Sequence, residues 1–550
     1  MSSRDHLAQP SAALASRAGK PRIGGFDLMI LAAFAAVAAW VLALDVWQVI
    51  GHGQHWTGTD GVFVEDQMEY LAWIRSASVH FLASDLFLLR PTPADYFQPI
   101  IASSGVLVAL GVVPWLTLLL WKPLAVGGVF FASRAYVRRS LSVRTLRTAA
   151  LVVALFFTGP GEVIAIKILH VGLVSNLQWQ VVTGDAALCF WSWDYPFGMI
   201  GLAAMLAGLL SYERDRRAQK LRWTTPVLAA LASSLHPWQG ATLIAVVLCA
   251  EGLMWRNGDG FATRSLALTV MAGAVPLVYY MILERSDPLW QLGLDAQSGH
   301  WPLGIVLLTL APLAVPAALA YRSRPRTFMA CITRVWPPLA LIIFLADEHL
   351  GGAATHAFLG ISIPLAVLSV EALSGLRRPR SARYRSALAV LAIAAVTVPG
   401  TIYELTLARQ LTTPGPVRGA TNGSGDANFI TADEGDALTF LDREPRPGGV
   451  LTRVYLGEVV PAMTGRATYV GNSYWSLTPR GGTFEFYRRV ALADALFQGR
   501  MSPSAARSFV RSTGARFLLA DCESHGDVGA LAPMVRVVRR FGCAGIYAVL

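Results

Sequence analysis

Long uninterrupted apolar runs recur along this chain, and no other feature restricts its fold as much. About 20 consecutive apolar residues suffice to cross a bilayer as a helix. Such runs extend from Phe26 to Ile50 and then near 113–136, 148–166, 195–212, 223–235, 240–256, 265–283, 301–321, 332–346, 357–375 and 386–403. Inside hydrocarbon every backbone N–H and C=O must be satisfied within the protein, so each run is expected to be helical. Composition agrees: 54% of the 550 residues are hydrophobic and 15% are charged, whereas soluble domains are about 25% charged. The sequence therefore predicts a polytopic α-helical membrane protein with about eleven spans.

A net charge of +11 would suggest nucleic-acid binding if the basic residues shared one soluble face. They fall instead in alternate loops between the apolar runs, which excludes nucleic acid as a partner. One set of loops carries Arg134, Arg138, Arg139, Arg144 and Arg147, then Arg214, Arg216, Arg217, Lys220 and Arg222, then Arg322, Arg324, Arg326 and Arg334, then Arg377, Arg378, Arg380, Arg383 and Arg385. The opposite set has only scattered charges, so the basic loops and the basic tail 1–25 are expected in the cytoplasm of a bacterial cell. The run from Phe26 is too long for a signal-peptide core and reads as a retained first span. A transmembrane domain over 26–403 is expected, with a long first outer loop at 51–112.

A Thr/Pro/Gly-rich linker covers 404–432. Residues 433–550 then alternate between helix and strand patterns, predicting a small extracytoplasmic α/β domain. The expected helices are 433–443, 456–464, 482–498 and 503–513, and the strands 449–454, 467–471, 515–521 and 543–549. Cys522 and Cys543 are the only cysteines in this tail. In an oxidising compartment they are a disulfide candidate, bridging across an expected intervening helix; two unpaired core thiols are the alternative.

Two stretches combine chemistry-bearing residues with unusual context. In GTDGVFVEDQMEYLAWIRSAS (58–78), Asp60, Glu65, Asp66 and Glu69 stand just outside the first span. On a helix over 64–82, Asp66 shares a stripe with Tyr70 and Trp73, while Glu65 and Glu69 occupy a neighbouring one, on which Glu69 is expected to be solvated. A carboxylate beside apolar rings acquires a raised pKa and can serve as a general base; a solvated, acid-capped helix start is the plainer reading. In SSLHPWQGATL (233–243), Pro237 and Gly240 break an apolar segment, which makes His236, Trp238 and Gln239 pocket candidates for a phosphate and a sugar. A tight helical hairpin with an interfacial Trp explains the same pattern. Lys167, His170 and Arg285 are cations or a histidine on the outer side that could meet an anionic substrate, although each also fits an interfacial anchor. Asp347, Glu348 and His349 are weaker outer-side candidates. No Walker, G-x-S-x-G or H-E-x-x-H motif occurs.

Glu65-Asp66-Gln67-x-x-Tyr70, LWKPLAV (120–126), HPWQG (236–240) and HAFLGISIPLAV (356–367), with TGRATYVGNSYWS (464–476) and FGCAGIYAV (541–549), resemble the integral-membrane glycosyltransferases of the GT-C fold, in their actinobacterial form. That resemblance implies transfer of a sugar from a polyprenyl-phosphate donor to a cell-envelope glycan, lipid or protein acceptor, with inversion at the anomeric carbon. It places the catalytic acid in the first outer loop, at Asp66 or the adjacent Glu65, with Asp60 nearby, and the acceptor beside Tyr70 and Trp73. The family's metal use varies, so a divalent ion, Mg or Mn, stays open. Two other functions fit the membrane architecture. One is a transporter or flippase of a lipid-linked or anionic solute, and the other is a non-catalytic envelope-assembly protein.

Overall fold

A computed structural model of the chain describes residues 23–61, 63–172, 179, 182–297, 301–350, 353–375, 382–411, 427–478, 482–526 and 528–550; the side chains of Asp347, Glu348 and His349 lie outside this description. Seven helices are long and apolar enough to cross a membrane: Pro114–Ser140, Pro196–Ala218, Pro237–Arg256, Thr263–Ser286, Leu303–Arg322, Phe328–Ala346 and Ala387–Thr406. Two helix pairs qualify jointly, Gly25–Ala38 with Trp40–His52, bent by 47°, and Arg144–Phe156 with Pro160–Ile168, bent by 46°. Thr224–Leu235 and Ser362–Gly375 are apolar but shorter. Each of the eleven expected segments is thus helical. A further apolar helix, Pro99–Ala109, lies within the first outer loop.

Local chemistry explains the breaks. Gly159, at φ 49°, and Pro160 interrupt the third apolar run, because proline cannot donate to the preceding turn. His236 is extended, at φ −155° and ψ 102°, and Pro237 opens the next helix, the position where a missing N–H is harmless. Gly240 lets the two helices meet: a Cβ there would fall 2.6 Å from the Ser233 Cα.

The basic loops gather at one end of the bundle. Arg134 bonds Asp27 (2.6 Å), Arg139 and Arg217 both bond Glu213 (2.6 and 2.8 Å), Arg216 bonds Glu251 (3.0 Å) and Arg334 bonds Glu371 (3.0 Å). These pairs join the N-terminal helix to the 134–147 and 214–222 loops, and the 322–334 loop to the helix Ser362–Gly375; the first outer loop and the C-terminal domain lie at the other end.

The C-terminal domain holds a four-stranded sheet in the order β3-β4-β6-β5, formed by β3 (Val450–Leu451), β4 (Phe517–Ala520), β5 (Val535–Phe541) and β6 (Ala544–Val549). β3 and β4 are parallel and the other pairs antiparallel. Helices Ala432–Arg443, Val454–Thr464, Gly482–Phe497 and Pro503–Thr513 flank the sheet. The first is fixed by a capping box between Thr431 and Glu434, two orphan N–H groups being satisfied reciprocally. Three expectations need correction. Residues 467–471 form no strand beyond a single bridge from Thr468 to Val450. Between Cys522 and Cys543 the main element is β5, not a helix. β5 is an edge strand with Arg536, Arg539 and Arg540 outward, and those charges hid its alternation. Cys522 and Cys543 are joined, their Cα atoms 4.8 Å apart. The last apolar helix continues to Leu411, beyond the expected end at 403.

The first outer loop and this domain form one body. β1 (His55–Trp56) pairs antiparallel with β2 (Phe429–Ile430), and Arg75 bonds both Asp442 and the Met463 carbonyl at 2.5 Å. Met68, Leu71 and Ala72 of the helix Val64–His80 share a core with Leu438, Val459, Val460 and Phe517. Within the domain, Gly457 lets the helix Val454–Thr464 approach the 470–471 backbone, since a Cβ there would sit 1.8 Å from the Val470 carbonyl oxygen.

The positive-inside bias predicts the basic end in the cytoplasm, so a phosphatase reporter fused after Ser424 should be active and one fused after Pro379 inactive. The reverse pattern would invert the protein in the membrane.

Candidate functional site

Asp66 stands in the first turn of Val64–His80, and the position of that turn is set by a buried ion pair. Lys122, in the helix Pro114–Ser140, bonds the Asp60 carboxylate; both side chains are almost completely buried. The Lys122 ammonium also donates to Gln67 Oε1 (2.7 Å), Gln67 Nε2 donates to the Asp60 carbonyl (2.5 Å), and Trp193 Nε1 donates to Asp60 Oδ2 (2.8 Å). Gly61, at φ 75°, allows the backbone to press against Asp194, where a Cβ would come within 2.2 Å of a carboxylate oxygen. Phe63 stacks on Trp191, with centroids 4.2 Å apart.

The four acids of this stretch have different surroundings. Asp60 belongs to the ion pair just described. Glu65 Oε1 accepts the Ser473 N–H (2.5 Å), and Glu69 Oε2 accepts from Asn472 Nδ2 (3.3 Å). Glu69 was expected to be solvated, but it is 5% exposed, because the turn 471–476 of the C-terminal domain closes over its stripe. Desolvation pushes its carboxyl well above the usual range, and the Asp66 charge adds to that. Asp66 is half-buried and turned toward His356 and Asp185; among the described residues no group donates a hydrogen bond to it. Desolvation raises its pKa to about 6, with His356 pulling it down and Asp185 pushing it up, the balance expected of a carboxyl between burial and mixed charges.

His356 lies within the short helical turn Ala354–Phe358, with its Nδ1 at 2.9 Å from Asp185 Oδ1. Its ring lies 5.2 Å from His236, 5.1 Å from Trp238 and 5.5 Å from Tyr195. Both nitrogens of His236, Gln239 Oε1 and Asp185 Oδ2 are buried without a hydrogen-bond partner, while Gln239 Nε2 donates to the Leu359 carbonyl (3.2 Å). Buried polar atoms are rarely left unpaired unless a ligand, ion or water completes them. Tyr70 stacks near Phe197 (4.6 Å), and Trp73 belongs to an aromatic cluster with Tyr96, Trp290 and Trp475. Both are largely buried, so neither presents an open face.

The structure thus gathers Asp66, His236, Trp238 and Gln239 into one neighbourhood with Tyr195, and adds Asp185 and His356, which sequence reasoning did not single out as site residues. Lys167 lies over the Tyr403 ring at 5.2 Å, and His170 and Arg285 are exposed. Among the described residues no hydrogen bond or ion pair joins these three to the Asp66 group. His356 stands first in the HAFLGISIPLAV stretch, but Asp185 lies in VVTGDAALC, where nothing in the pattern marks it.

No protein-family model matches the sequence, and no curated protein matches it. Among solved structures, the apo oligosaccharyltransferase of Archaeoglobus fulgidus superposes with a TM-score of 0.51 at 13% identity, over 93% of this chain and 73% of that one. The chain has the GT-C fold. Two more GT-C structures give lower scores. ArnT from Cupriavidus metallidurans bound to undecaprenyl phosphate scores 0.48 at 14% identity, over 95% and 98% of the two chains. The mycobacterial arabinofuranosyltransferase AftD scores 0.49 at 17% identity, over 94% and 41%. With this GT-C architecture and its apolar helices, the protein is a multi-pass membrane protein.

Removing one partner of a buried ion pair costs about 3–5 kcal/mol because the other charge is left alone. Lys122→Met should therefore lower the unfolding midpoint in detergent strongly, and adding Asp60→Asn to it should recover part of the loss. A double variant as unstable as the two single losses combined would show that the pair does not act as a unit.

Proposed function

We propose that the protein is a membrane glycosyltransferase that moves a sugar from a polyprenyl-phosphate donor to an extracytoplasmic cell-envelope acceptor, with inversion and with Asp66 as general base. The carrying observation is Asp66 itself. Of Asp60, Glu65, Asp66 and Glu69 it is the one whose carboxylate has no hydrogen-bond donor among the described residues, its pKa is raised to about 6, and it lies within electrostatic reach of His356 and Asp185. A base poised near neutral pH and free of other bonds is what proton abstraction from a hydroxyl needs. The GT-C fold supports the reading at the level of architecture.

In the proposed reaction Asp66 takes the proton of the acceptor hydroxyl as that oxygen attacks the anomeric carbon. The bond from that carbon to the donor phosphate oxygen breaks, and its electron pair leaves with the polyprenyl phosphate. His236 and Gln239 are assigned to the donor phosphate and hydroxyls, and Trp238 to the sugar face. Glu65, held by the Ser473 amide, and Asp60, held by Lys122, position the loop instead of reacting.

The donor set also fits a divalent ion. The Asp185 charge acts on Asp66, with His356 the one cationic influence on it, and Asp185 Oδ2 is unpaired. Asp66, Asp185 and His356 would hold it, two carboxylates and an imidazole suiting Mn better than Mg. A bound ion would supply positive charge for the departing phosphate. Among the described residues the ligand atoms of Asp66, Asp185 and His356 do not all lie within 4.8 Å of one another, so the three would have to draw closer to share an ion.

The transporter reading draws on a different feature, the buried acids Glu162 and Glu404 inside the spans, since ionisable groups at that depth line many transport paths. One assay separates the two. Purified protein in detergent, given polyprenyl-phosphate donors with radiolabelled sugars, should release polyprenyl phosphate and label an acceptor. Asp66→Asn should lower that rate by roughly two to four orders of magnitude, with Glu69→Gln affecting it far less. A donor that is carried across a vesicle membrane chemically intact would favour transport. Normal turnover in folded Asp66→Asn with loss in Glu65→Gln would exchange the roles of the two acids.

A further inference from the structure

Phe484 and Tyr487 take no part in the Asp66 group, and both project from the C-terminal domain. Phe484 is 84% exposed, more than any other large apolar side chain among the described residues, and Tyr487 is 57% exposed. They stand three residues apart at the start of the helix Gly482–Phe497, so they share one stripe. Arg488 and Ala491, also exposed, border and continue it. Glu485 bonds both Arg488 (2.7 Å) and Arg489 (3.0 Å), which leaves this turn with a net positive charge.

Phe486, between the two exposed rings, points the other way and is buried in the core of the domain. Leu292 and Ala296 of the helix Pro288–Gln297 pack against that same core, and the two helices are in contact. A Cβ on Gly293 would lie 2.6 Å from the Trp475 ring, a second close approach between that helix and the domain. Pro288–Gln297 joins the outer ends of two spans, Thr263–Ser286 and Leu303–Arg322. Val278, Met281, Ile282, Leu303 and Leu307 of these spans are exposed, and such apolar faces are covered by lipid. Ile282 precedes Pro288 by six residues, about 9 Å at 1.5 Å per residue. The helix that carries the aromatic stripe therefore rests on one that starts where a lipid-facing surface ends.

We propose that Phe484 and Tyr487 form a foot by which the C-terminal domain stands on the outer leaflet of the bilayer, with Arg488 reaching lipid phosphates. Aromatic rings concentrate at the headgroup level, where a tyrosine buries its ring and keeps its hydroxyl in water. An arginine there lays its apolar stem along the ring and holds its charge at the anionic lipid surface. Lipid is favoured over a soluble partner because the stripe continues the lipid-facing surface of two spans. Trp475 belongs to the turn that closes over Glu65 and Glu69, so the foot sets the height of that turn above the membrane. The inference is independent of the proposed reaction.

The test uses full-length protein in nanodiscs of phosphatidylcholine and phosphatidylglycerol, with Cys249→Ser to remove the exposed free thiol and a nitroxide on Arg488→Cys, which keeps both rings. Collisions of the label with oxygen, which concentrates in lipid, are compared with collisions with a water-soluble nickel chelate. We expect oxygen collisions to dominate and to place the label in the headgroup region, at most about 5–10 Å deep, the range of an interfacial apolar face. Adding Phe484→Ser and Tyr487→Ser should move it outward into water. A second label, on Phe484→Cys with Tyr487 intact, should lie deeper than the first and does not depend on the double variant. Labels at 488 and 484 that nickel reaches as freely as a nitroxide in water would overturn the foot and leave the stripe to an aqueous partner. An unchanged depth at 488 in the folded double-serine variant would overturn it as well, since the rings would then carry no contact.

Discussion

An ionised carboxylate removed from water needs a cation, hydrogen-bond donors or a proton, and the acids of this protein divide according to which of these they have. Asp60 has Lys122 and Trp193, Glu65 has a backbone amide and Glu69 an asparagine. At the opposite end Glu213, Glu251 and Glu371 have arginines. These satisfied acids hold helices and loops in place. Asp66 lacks such partners, and it is the position where chemistry is expected. Sorting acids by their partners separates scaffold from site more sharply than sorting them by position in the loop.

The satisfied acids also explain why Asp66 can remain unsatisfied. Lys122 fixes Asp60 and Gln67 on either side of the first turn of Val64–His80, and the C-terminal turn 471–476 holds Glu65 and Glu69. With its neighbours held, the helix cannot rotate to give Asp66 to solvent or to one of these donors. The C-terminal domain is therefore part of the site's framework, through β1–β2 pairing and a shared hydrophobic core. The aromatic cluster of Trp73, Trp290 and Trp475 joins the loop, the helix Pro288–Gln297 and the domain in the same way.

Much of this was legible in the sequence because bilayer crossing is a local demand. Twenty apolar residues announce a span wherever they occur, and Gly159-Pro160 and His236-Pro237 announce breaks. The stripe of Asp66 with Tyr70 and Trp73 was also local, being set by helical periodicity. Long-range partnerships were not legible. Glu69 looked solvated because its partner, Asn472, lies about 400 residues away in sequence. Asp185 carries no pattern, since a lone acid at the end of an apolar stretch reads as an interfacial charge until the fold brings His356 to it. β5 was missed because exposed arginines on an edge strand, a normal protection against strand pairing, mask the alternation that marks a strand.

The central claim is that the environment of Asp66 holds a base ready near neutral pH. The direct measurement is kcat/KM for sugar transfer against pH, which reports the ionisation of groups in the free enzyme. A base must be ionised to act, so the account predicts a rate that is level above the Asp66 pKa of about 6 and falls roughly tenfold per pH unit below it, with that limb absent from the residual activity of Asp66→Asn. A profile flat from pH 5 to 8, estimated as a range of about three units around neutrality, or an acid limb unchanged in Asp66→Asn, would contradict it.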